Sequence, residues 1–163
     1  MPSNQILNTG PHKVKLDNWI QAAPFEELLN MEITQASDGK AILSMPFLYE
    51  FSQGAGIMHG GAIVALADTA LAMAVKSLLP EGTHFGTIGL DVKFLRAMTH
   101  GNITATAEIN SFVERDLKGV VLVIDSDGNE IMKATADFRV ARKQTEGIAQ
   151  QLEKIIASQT SEN

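Results

Sequence analysis

The residues best suited to chemistry lie in one glycine-rich segment and in a single acid that follows it. Residues 53–69 read QGAGIMHGGAIVALADT, and Asp68 is the only acid between residues 60 and 79. If a helix begins at Gly60 and Gly61, no side chain screens its first N–H groups, and a carbonyl oxygen can approach them closely. Such a turn is typical of an oxyanion hole. A carboxylate in apolar surroundings, as expected for Asp68, is a stronger base than one in water.

These two features are far apart on one helix. Asp68 lies eight positions after Gly60 in the chain. This offset corresponds to roughly 12 Å along a helix at a rise of about 1.5 Å per residue. One copy of the helix therefore cannot easily present both groups to the same carbonyl. A symmetric dimer can do so, because it offers the loop of one subunit to the aspartate of the other.

The segment from residue 60 to residue 79 is predicted to be a helix surrounded by protein. Only Asp68 and Lys76 carry charge there, and apolar residues cover every helical face. The segment is long enough to span a bilayer, but an acid near its middle would be expensive in lipid. Its flanks also lack a basic bias. We therefore predict a core helix and no membrane association.

Alternating apolar residues predict about six strands. Two strands precede the long helix, joined at Asp38-Gly39, a dipeptide typical of hairpin turns. Four strands follow it with no helical pattern between them, which favours an antiparallel sheet. In the first of these four, the alternation assigns Ile88 to the buried side and Thr87 to the solvated side. The predicted strands are 31–36, 40–45, 87–94, 103–109, 120–124 and 132–140, with further helices at 24–29 and 148–156.

This order of elements predicts an α+β fold in which one antiparallel sheet wraps around one long central helix. Length and composition agree with a single domain: the chain has 163 residues, of which 45% are hydrophobic. We predict a loose tail at residues 1–16, one domain at 17–158, whose pattern turns helical from Asp17, and a second tail at 159–163.

Composition also excludes several classes of function. The formal net charge is −6, which argues against broad nucleic-acid binding. The chain contains no cysteine, so disulfides, thiolate metal sites and cysteine nucleophiles are excluded. The first residues lack the basic and apolar regions of a signal peptide, and a cytoplasmic location is expected.

The same residues carry a resemblance to a known family. The pattern Q-x-x-G-x-x-H-G-G from Gln53 to Gly61, followed after six residues by Asp68, resembles the signature of hotdog-fold acyl-CoA thioesterases of the phenylacetate-pathway and hydroxybenzoyl-CoA type. The similarity covers about residues 25–141. It implies a hotdog fold that hydrolyses an aromatic or medium-chain acyl-CoA to a carboxylate and free CoA. It also implies self-association, as a homodimer or a dimer of dimers, and no cofactor or metal.

The resemblance further implies a role for each residue of the motif. Asp68 matches the catalytic carboxylate, which acts as a nucleophile or as a general base on water. The backbone N–H of Gly60 matches the group that polarises the thioester carbonyl. His59 and Gln53 match positions that orient the loop, the thioester or the attacking water. Thr87 matches a hydroxyl that helps to hold this water.

The positions expected to contact substrate are less sharply defined. Gly61 and Thr69 are the expected substrate-binding residues beside the motif. Some relatives carry a hydroxyl one helical turn after the carboxylate, where this chain has Ala72, so Thr87 or Thr69 would have to supply it. Local cations are expected to meet the CoA phosphates, and the unranked candidates are Arg115, Lys118, Lys133, Arg139, Arg142 and Lys143.

Several alternatives stay open at the level of sequence. The fold could bind an acyl-CoA without turnover, or it could hydrate or dehydrate an enoyl thioester, although the H-G-G arrangement is less typical of that branch. Asp68 could be a structural acid satisfied by a helix N-terminus or by an arginine, and His59 could only fix the loop. The glycines at 54, 56 and 60 match a loose dinucleotide fingerprint, but the predicted strand order lacks the βαβ unit that this motif requires.

Overall fold

The computed structural model describes residues 10–142, and the helix predicted at 148–156 lies outside them. The first helix is short and begins at a proline, with two glutamates in its first turn, as the sequence predicts. The helical pattern expected from Asp17 is wrong, because residues 17–20 form bends in which the Gln21 side chain accepts hydrogen bonds from the backbone N–H groups of Asp17 and Asn18. The elements are α1 (Pro24–Leu28), β1 (Glu32–Ser37), β2 (Lys40–Pro46), a 3-10 turn (Tyr49–Phe51), α2 (Gly60–Lys76), β3 (Phe85–Phe94), β4 (Asn102–Val113), β5 (Asp116–Asp125) and β6 (Glu130–Val140).

The six strands form one antiparallel sheet in the order β1-β2-β4-β5-β6-β3. The helix α2 packs across the sheet, mainly on β2, β4 and β5. The expected antiparallel sheet around one long helix is therefore confirmed. The helix ends at Lys76, three residues earlier than predicted, because Leu78 and Leu79 make tighter i→i−3 hydrogen bonds before Pro80.

The helix α2 is not enclosed on every side within one chain. The side facing the sheet is buried and includes Leu66, Ala67, Ala70 and Leu71, each with 0% exposure. Residues on the other side, including Asp68, are only partly covered. The apolar residues on this outer side explain why the sequence shows no polar face, and they leave surface that a second molecule could cover.

The segment before α1 is held against the end of α2. Trp19 donates its indole N–H to the carbonyl of Lys76 at 2.9 Å, and the Lys76 ammonium donates to the carbonyl of Trp19 at 3.1 Å. The ammonium also lies 4.8 Å from the centre of the indole ring. Burial lowers the pKa of Lys76, and nearby Glu26 partly opposes this effect.

A glycine in β5 allows the helix to approach the sheet. A Cβ atom at Gly119 would lie 2.7 Å from Leu71 of α2 and 2.8 Å from Ile109 of β4. It would also lie 3.1 Å from the backbone oxygen of Glu108, which cannot move as easily as a side chain. The packing of α2 on the centre of the sheet therefore requires glycine at this position.

We predict that Gly119→Ala destabilises the fold by about 1–3 kcal/mol, the usual cost of overpacking a core. The measurement is denaturant unfolding. The matched control is Gly86→Ala in β3, where a Cβ atom has no neighbour within 4 Å. Equal unfolding midpoints for the two variants would contradict this account of the helix–sheet contact.

Candidate active site

The first turn of α2 is capped by the histidine that precedes it. The Nδ1 atom of His59 accepts a hydrogen bond from the N–H of Gly61 at 2.9 Å. A neutral ring that accepts through Nδ1 carries its proton on Nε2, which leaves an N–H donor at the exposed end of the ring. A Cβ atom at Gly61 would lie 2.9 Å from Nδ1. The absence of a side chain at Gly61, the second glycine of the motif, therefore leaves room for the capping ring of His59.

The amide of Gly60 is the available donor in this turn. The N–H groups of Ala62 and Ile63 donate to the carbonyl of His59 at 3.0 and 3.4 Å, and that of Gly61 donates to the imidazole. Within residues 10–142, no acceptor engages the N–H of Gly60. The sequence assigned both glycines to the substrate, but only Gly60 has its amide free for a carbonyl oxygen.

The loop before the helix is held on both sides. The N–H of His59 donates to the carbonyl of Phe51 at 2.7 Å, and that of Met58 donates to the carbonyl of Met98 at 2.9 Å. Gln53 accepts a hydrogen bond from the N–H of Ala55 through its side-chain oxygen at 2.7 Å, so its amide NH₂ is left to donate elsewhere. These contacts fix the direction in which the Gly60 amide points.

A mostly apolar cleft of about 410 Å³, which Arg96 also lines, opens beside Gly60. The ring of Phe94, the last residue of β3, forms one wall so closely that a Cβ atom at Gly60 would lie 3.0 Å from it. Phe94 was not among the predicted site residues. Its position at the end of β3, the first strand after the motif helix, could have suggested it. The other lining residues include Gln53, Ile57, Met58, Ile63 and Met98.

The carboxylate of Asp68 lies two turns further along α2, half-buried, and faces β3. Thr87 donates its hydroxyl hydrogen to Oδ1 of Asp68 at 2.9 Å, which leaves Oδ2 for another partner. Among the residues described, no lysine or arginine forms an ion pair with Asp68. The alternative of an acid neutralised by an arginine therefore finds no support between residues 10 and 142.

A β-bulge places Thr87 on the helix side of the sheet. Thr87 pairs with Phe138 of β6 and Gly89 pairs with Asp137, so Ile88 is an extra residue without a partner. The alternation changes phase at this point. The prediction that Ile88 is buried is therefore wrong, because Ile88 is 56% exposed. Thr87 is exposed as predicted, but its side chain turns towards Asp68 on the helix side.

Two further positions from the sequence analysis lie nearby. Thr69 is only 8% exposed and belongs to the buried side of α2, so its hydroxyl does not share the half-buried face of Asp68. Ala72 lies one turn after Asp68, on the partly covered side. Thr87 is the hydroxyl that the structure brings to the carboxylate.

In one chain the site is present as two separate halves. Asp68 and Thr87 form one half, and the Gly60 amide, the capped His59 and the cleft form the other. The two halves lie along the same helix, roughly 12 Å apart by helical rise. They also contact β3 at different positions, Thr87 and Phe94, which are seven residues apart.

Residues 10–142 contain neither a cluster of metal ligands nor a membrane-spanning helix. No group of three or more histidine, aspartate or glutamate side chains in the described part of the chain could hold a metal ion. No helix between residues 10 and 142 is long and apolar enough to cross a membrane.

Comparisons with known proteins agree with this geometry. A sequence model of the thioesterase superfamily matches residues 55–132, which include Gly60, Asp68 and Thr87. A protein of Halobacterium salinarum that carries the name esterase is 30% identical over 130 residues, covering 70% of this chain and 82% of its own. The chain belongs to the thioesterase superfamily. This membership makes it a thioester hydrolase.

Two further proteins resemble the chain, one over part of its sequence and one in fold. A 1,4-dihydroxy-2-naphthoyl-CoA hydrolase of Listeria monocytogenes is 33% identical over 84 residues, covering 51% of this chain and 68% of its own. The E. coli PaaI protein from the phenylacetic acid degradation operon superposes with a TM-score of 0.67 at 22% identity, covering 72% of this chain and 83% of its own. These likenesses confirm the expected hotdog fold.

The capping role of His59 can be separated from a role in chemistry. We expect His59→Ala to lower stability by about 0.5–2 kcal/mol, because the first turn loses its N-cap acceptor. Asn is a good N-cap residue, so His59→Asn should restore most of this stability. The measurements are unfolding midpoint and turnover of a thioester substrate.

The two variants make the roles distinguishable. If the ring also orients the thioester or water, both variants lose activity although only His59→Ala loses stability. If His59→Asn is as unstable as His59→Ala, the imidazole is not acting as a cap.

Proposed function

We propose that this thioesterase hydrolyses an acyl-CoA with an aromatic or medium-chain acyl group to a carboxylate and free CoA. The observation that carries the proposal is Asp68, held by Thr87, on the same helix whose first amide is that of Gly60. Within residues 10–142, the second oxygen of Asp68 and the Gly60 amide have no hydrogen-bond partner. The similarity to a dihydroxynaphthoyl-CoA hydrolase supports an aromatic thioester. A Streptococcus pneumoniae thioesterase protein solved with coenzyme A shares the fold, at a TM-score of 0.63 and 22% identity, covering 69% of this chain and 86% of its own.

The chemistry follows from the two kinds of group. The thioester oxygen accepts a hydrogen bond from the Gly60 N–H, which stabilises the negative charge that develops as the carbonyl carbon is attacked. Asp68 either attacks this carbon itself or removes a proton from the water that attacks it. The C–S bond then breaks and CoA leaves as a thiolate, which takes up a proton. In the nucleophilic route, water later cleaves the acyl-aspartyl anhydride to release the carboxylate.

The neighbouring side chains have positioning roles in this scheme. Thr87 holds Oδ1 of Asp68 and so directs Oδ2 towards the substrate or water. The Nε2–H of His59 and the amide of Gln53 are donors beside Gly60 and can orient the thioester or the water. The apolar side chains of the cleft, which include Ile57, Ile63 and Phe94, suit an aromatic or aliphatic acyl group.

Two copies of the chain complete the site. The strand β3 is an edge of the sheet, and Ile88 and Phe94 on it are 56% and 53% exposed. Antiparallel pairing of two β3 strands about an axis at Asp91 places Phe94 of the partner subunit opposite Ile88, next to Thr87, because residues 88 and 94 lie at equal distances from that axis. The partner's Gly60 amide then approaches Asp68. A homodimer is the smallest assembly with complete sites, and a dimer of dimers would contain the same pair.

The central test is the removal of the carboxylate. We expect Asp68→Asn and Asp68→Ala to lower kcat at least about 100-fold, as is usual for the loss of a general base or a key electrostatic group. The measurement is the release of free thiol from a panel of aromatic and aliphatic acyl-CoA thioesters. The panel also shows which acyl group the cleft prefers.

A control variant separates lost chemistry from lost structure. Asp38→Asn makes the same chemical change at an exposed hairpin turn that is distant from Asp68 in the sequence. We expect its turnover to equal that of the unaltered protein. Undiminished turnover in both Asp68 variants would remove this residue from the mechanism. Binding of acyl-CoA without hydrolysis by the unaltered protein would favour a binding function instead.

The dimer can be tested with an introduced cysteine, because the natural chain has none. Directly opposed residues of paired antiparallel strands approach to about 4.5–5.5 Å between Cβ atoms, which is close to disulfide geometry. We therefore expect Asp91→Cys in β3 to form an intermolecular disulfide under mild oxidation. The readout is a dimer band on a non-reducing gel.

The opposite edge of the sheet supplies the control for this experiment. Gln35→Cys lies in β1, which is also an exposed edge strand, and should not cross-link. A fully active protein that sediments as a monomer would contradict the shared site, as would cross-linking through Gln35 alone.

A further inference from the structure

A second pocket, of about 380 Å³, lies at the start of β3 and is separate from the cleft beside Gly60. Three segments form it: the first residues of β3, the last residues of β6, and the turn between β4 and β5. The cleft beside Gly60 is lined instead by the other end of β3 and the loop before α2. The residues that line this pocket include His84, Phe85, Ile88, Arg115 and Arg139.

Backbone hydrogen bonds hold the three segments together. The N–H of Val140 donates to the carbonyl of Arg115 at 2.9 Å, and the N–H of Ala141 donates to the carbonyl of His84 at 2.8 Å. These bonds join the turn, the end of β6 and the residue before β3. The pocket is therefore built on the sheet framework.

The structure ranks the cations that the sequence left unranked. Lys118 pairs with Asp137 at 3.0 Å, and Lys133 pairs with Glu130 at 2.8 Å. Both ammonium groups are thus already partnered by carboxylates. Arg142 makes a contact of its own, and Lys143 lies outside the described residues. The candidates that line this pocket are Arg115 and Arg139.

The two arginines of the pocket differ in their partners. Arg139 donates from Nε and Nη2 to the two oxygens of Asp116, at 2.6 and 3.0 Å, and this contact lowers the pKa of Asp116. The pair fixes the Arg139 guanidinium but neutralises its charge. Between residues 10 and 142, no carboxylate lies within ion-pair distance of Arg115, which is half-buried at the turn. Asp116 also attracts Arg115 electrostatically, but two guanidinium groups against one carboxylate leave a local positive charge here, in a chain whose net charge is −6.

The rest of the pocket is apolar and partly aromatic. Phe85 is half-buried and its ring packs 6.1 Å from that of Phe138 in the core. Ile88, displaced outwards by the bulge, is 56% exposed beside it. A guanidinium next to an apolar surface suits a ligand that joins a phosphate to a flat ring.

We propose that this pocket binds the phosphorylated adenosine end of the CoA substrate, with Arg115 as the phosphate-binding residue. The proposal rests on the proposed acyl-CoA hydrolysis. Arg139 completes the donor set at the rim, and Phe85 with Ile88 supplies the surface for the adenine. The residues on either side of Thr87, Gly86 and Ile88, line the pocket. The edge strand β3 thus carries both the Thr87 hydroxyl that holds Asp68 and part of the proposed nucleotide site.

The test compares thioesters with and without the nucleotide. The same acyl group is presented as its CoA thioester and as its N-acetylcysteamine thioester, and kcat/KM is measured for both. We expect Arg115→Ala to lower the preference for the CoA thioester roughly 10- to 100-fold, through KM, because a charged hydrogen bond contributes about 1.5–3 kcal/mol. Arg115→Lys keeps the charge but loses the planar fork, so its loss should be intermediate.

The matched control is Lys40→Ala. It removes one positive charge from the exposed Lys40–Glu108 ion pair on β2, four strands away from β3, and should leave the preference unchanged. A direct measurement uses adenosine 3′,5′-bisphosphate in a calorimetric titration. Binding to the unaltered protein and to Lys40→Ala, with loss in Arg115→Ala, is the expected result.

The outcomes separate this inference from the proposed function. If both thioesters are hydrolysed but Arg115→Ala leaves the preference and the titration unchanged, the nucleotide site is elsewhere and the hydrolysis stands. An equal loss on both thioesters, with a lowered unfolding midpoint, would make Arg115 a structural residue and overturn the site. If the unaltered protein hydrolyses neither thioester, the proposed function fails, and the titration alone decides whether the pocket binds the nucleotide.

Discussion

The position of two groups on one helix constrains the rest of this structure. The free amide of Gly60 lies at the first turn of α2 and the carboxylate of Asp68 lies two turns later, on a helix that is rigid because the sheet packs along it. A helix cannot bend back over roughly 12 Å to bring both groups to one carbonyl. Hydrolysis of one thioester by both groups therefore requires two helices, related by a symmetry that the edge strand β3 can provide.

The edge strand β3 has to satisfy several demands at once. An edge strand exposes unpaired backbone groups, and proteins normally cover or interrupt such edges. Here the bulge at Ile88 interrupts the ladder with β6 and reverses which side chains face the helix. The hydroxyl of Thr87 reaches Asp68 because of this extra residue. A strand with regular alternation would turn the hydroxyl to the opposite face, away from the carboxylate.

The sequence predicts the elements well and their local irregularities poorly. Apolar periodicity predicts α2 and all six strands, because burial imposes a period of two or of 3.6 residues on long segments. The motif from Gln53 to Asp68 predicts which residues surround the helix N-terminus. The facing of Thr87 could not be predicted, because an inserted residue leaves the alternating pattern intact on both sides. The pairing of Lys118 and Lys133 with carboxylates depends on strand register, which periodicity alone does not fix.

The division of the site along β3 has a consequence for specificity. The cleft beside Gly60 contains Phe94 and is mostly apolar, with Arg96 also in its lining, whereas the pocket beside Thr87 contains two arginines, Arg115 and Arg139. In the proposed pair of chains joined through β3, the acyl end of a substrate would meet the first surface and its polar end would meet the second. Substitutions that reshape the cleft can then change the accepted acyl group without disturbing the carboxylate or the cation, because these belong to separate parts of the strand.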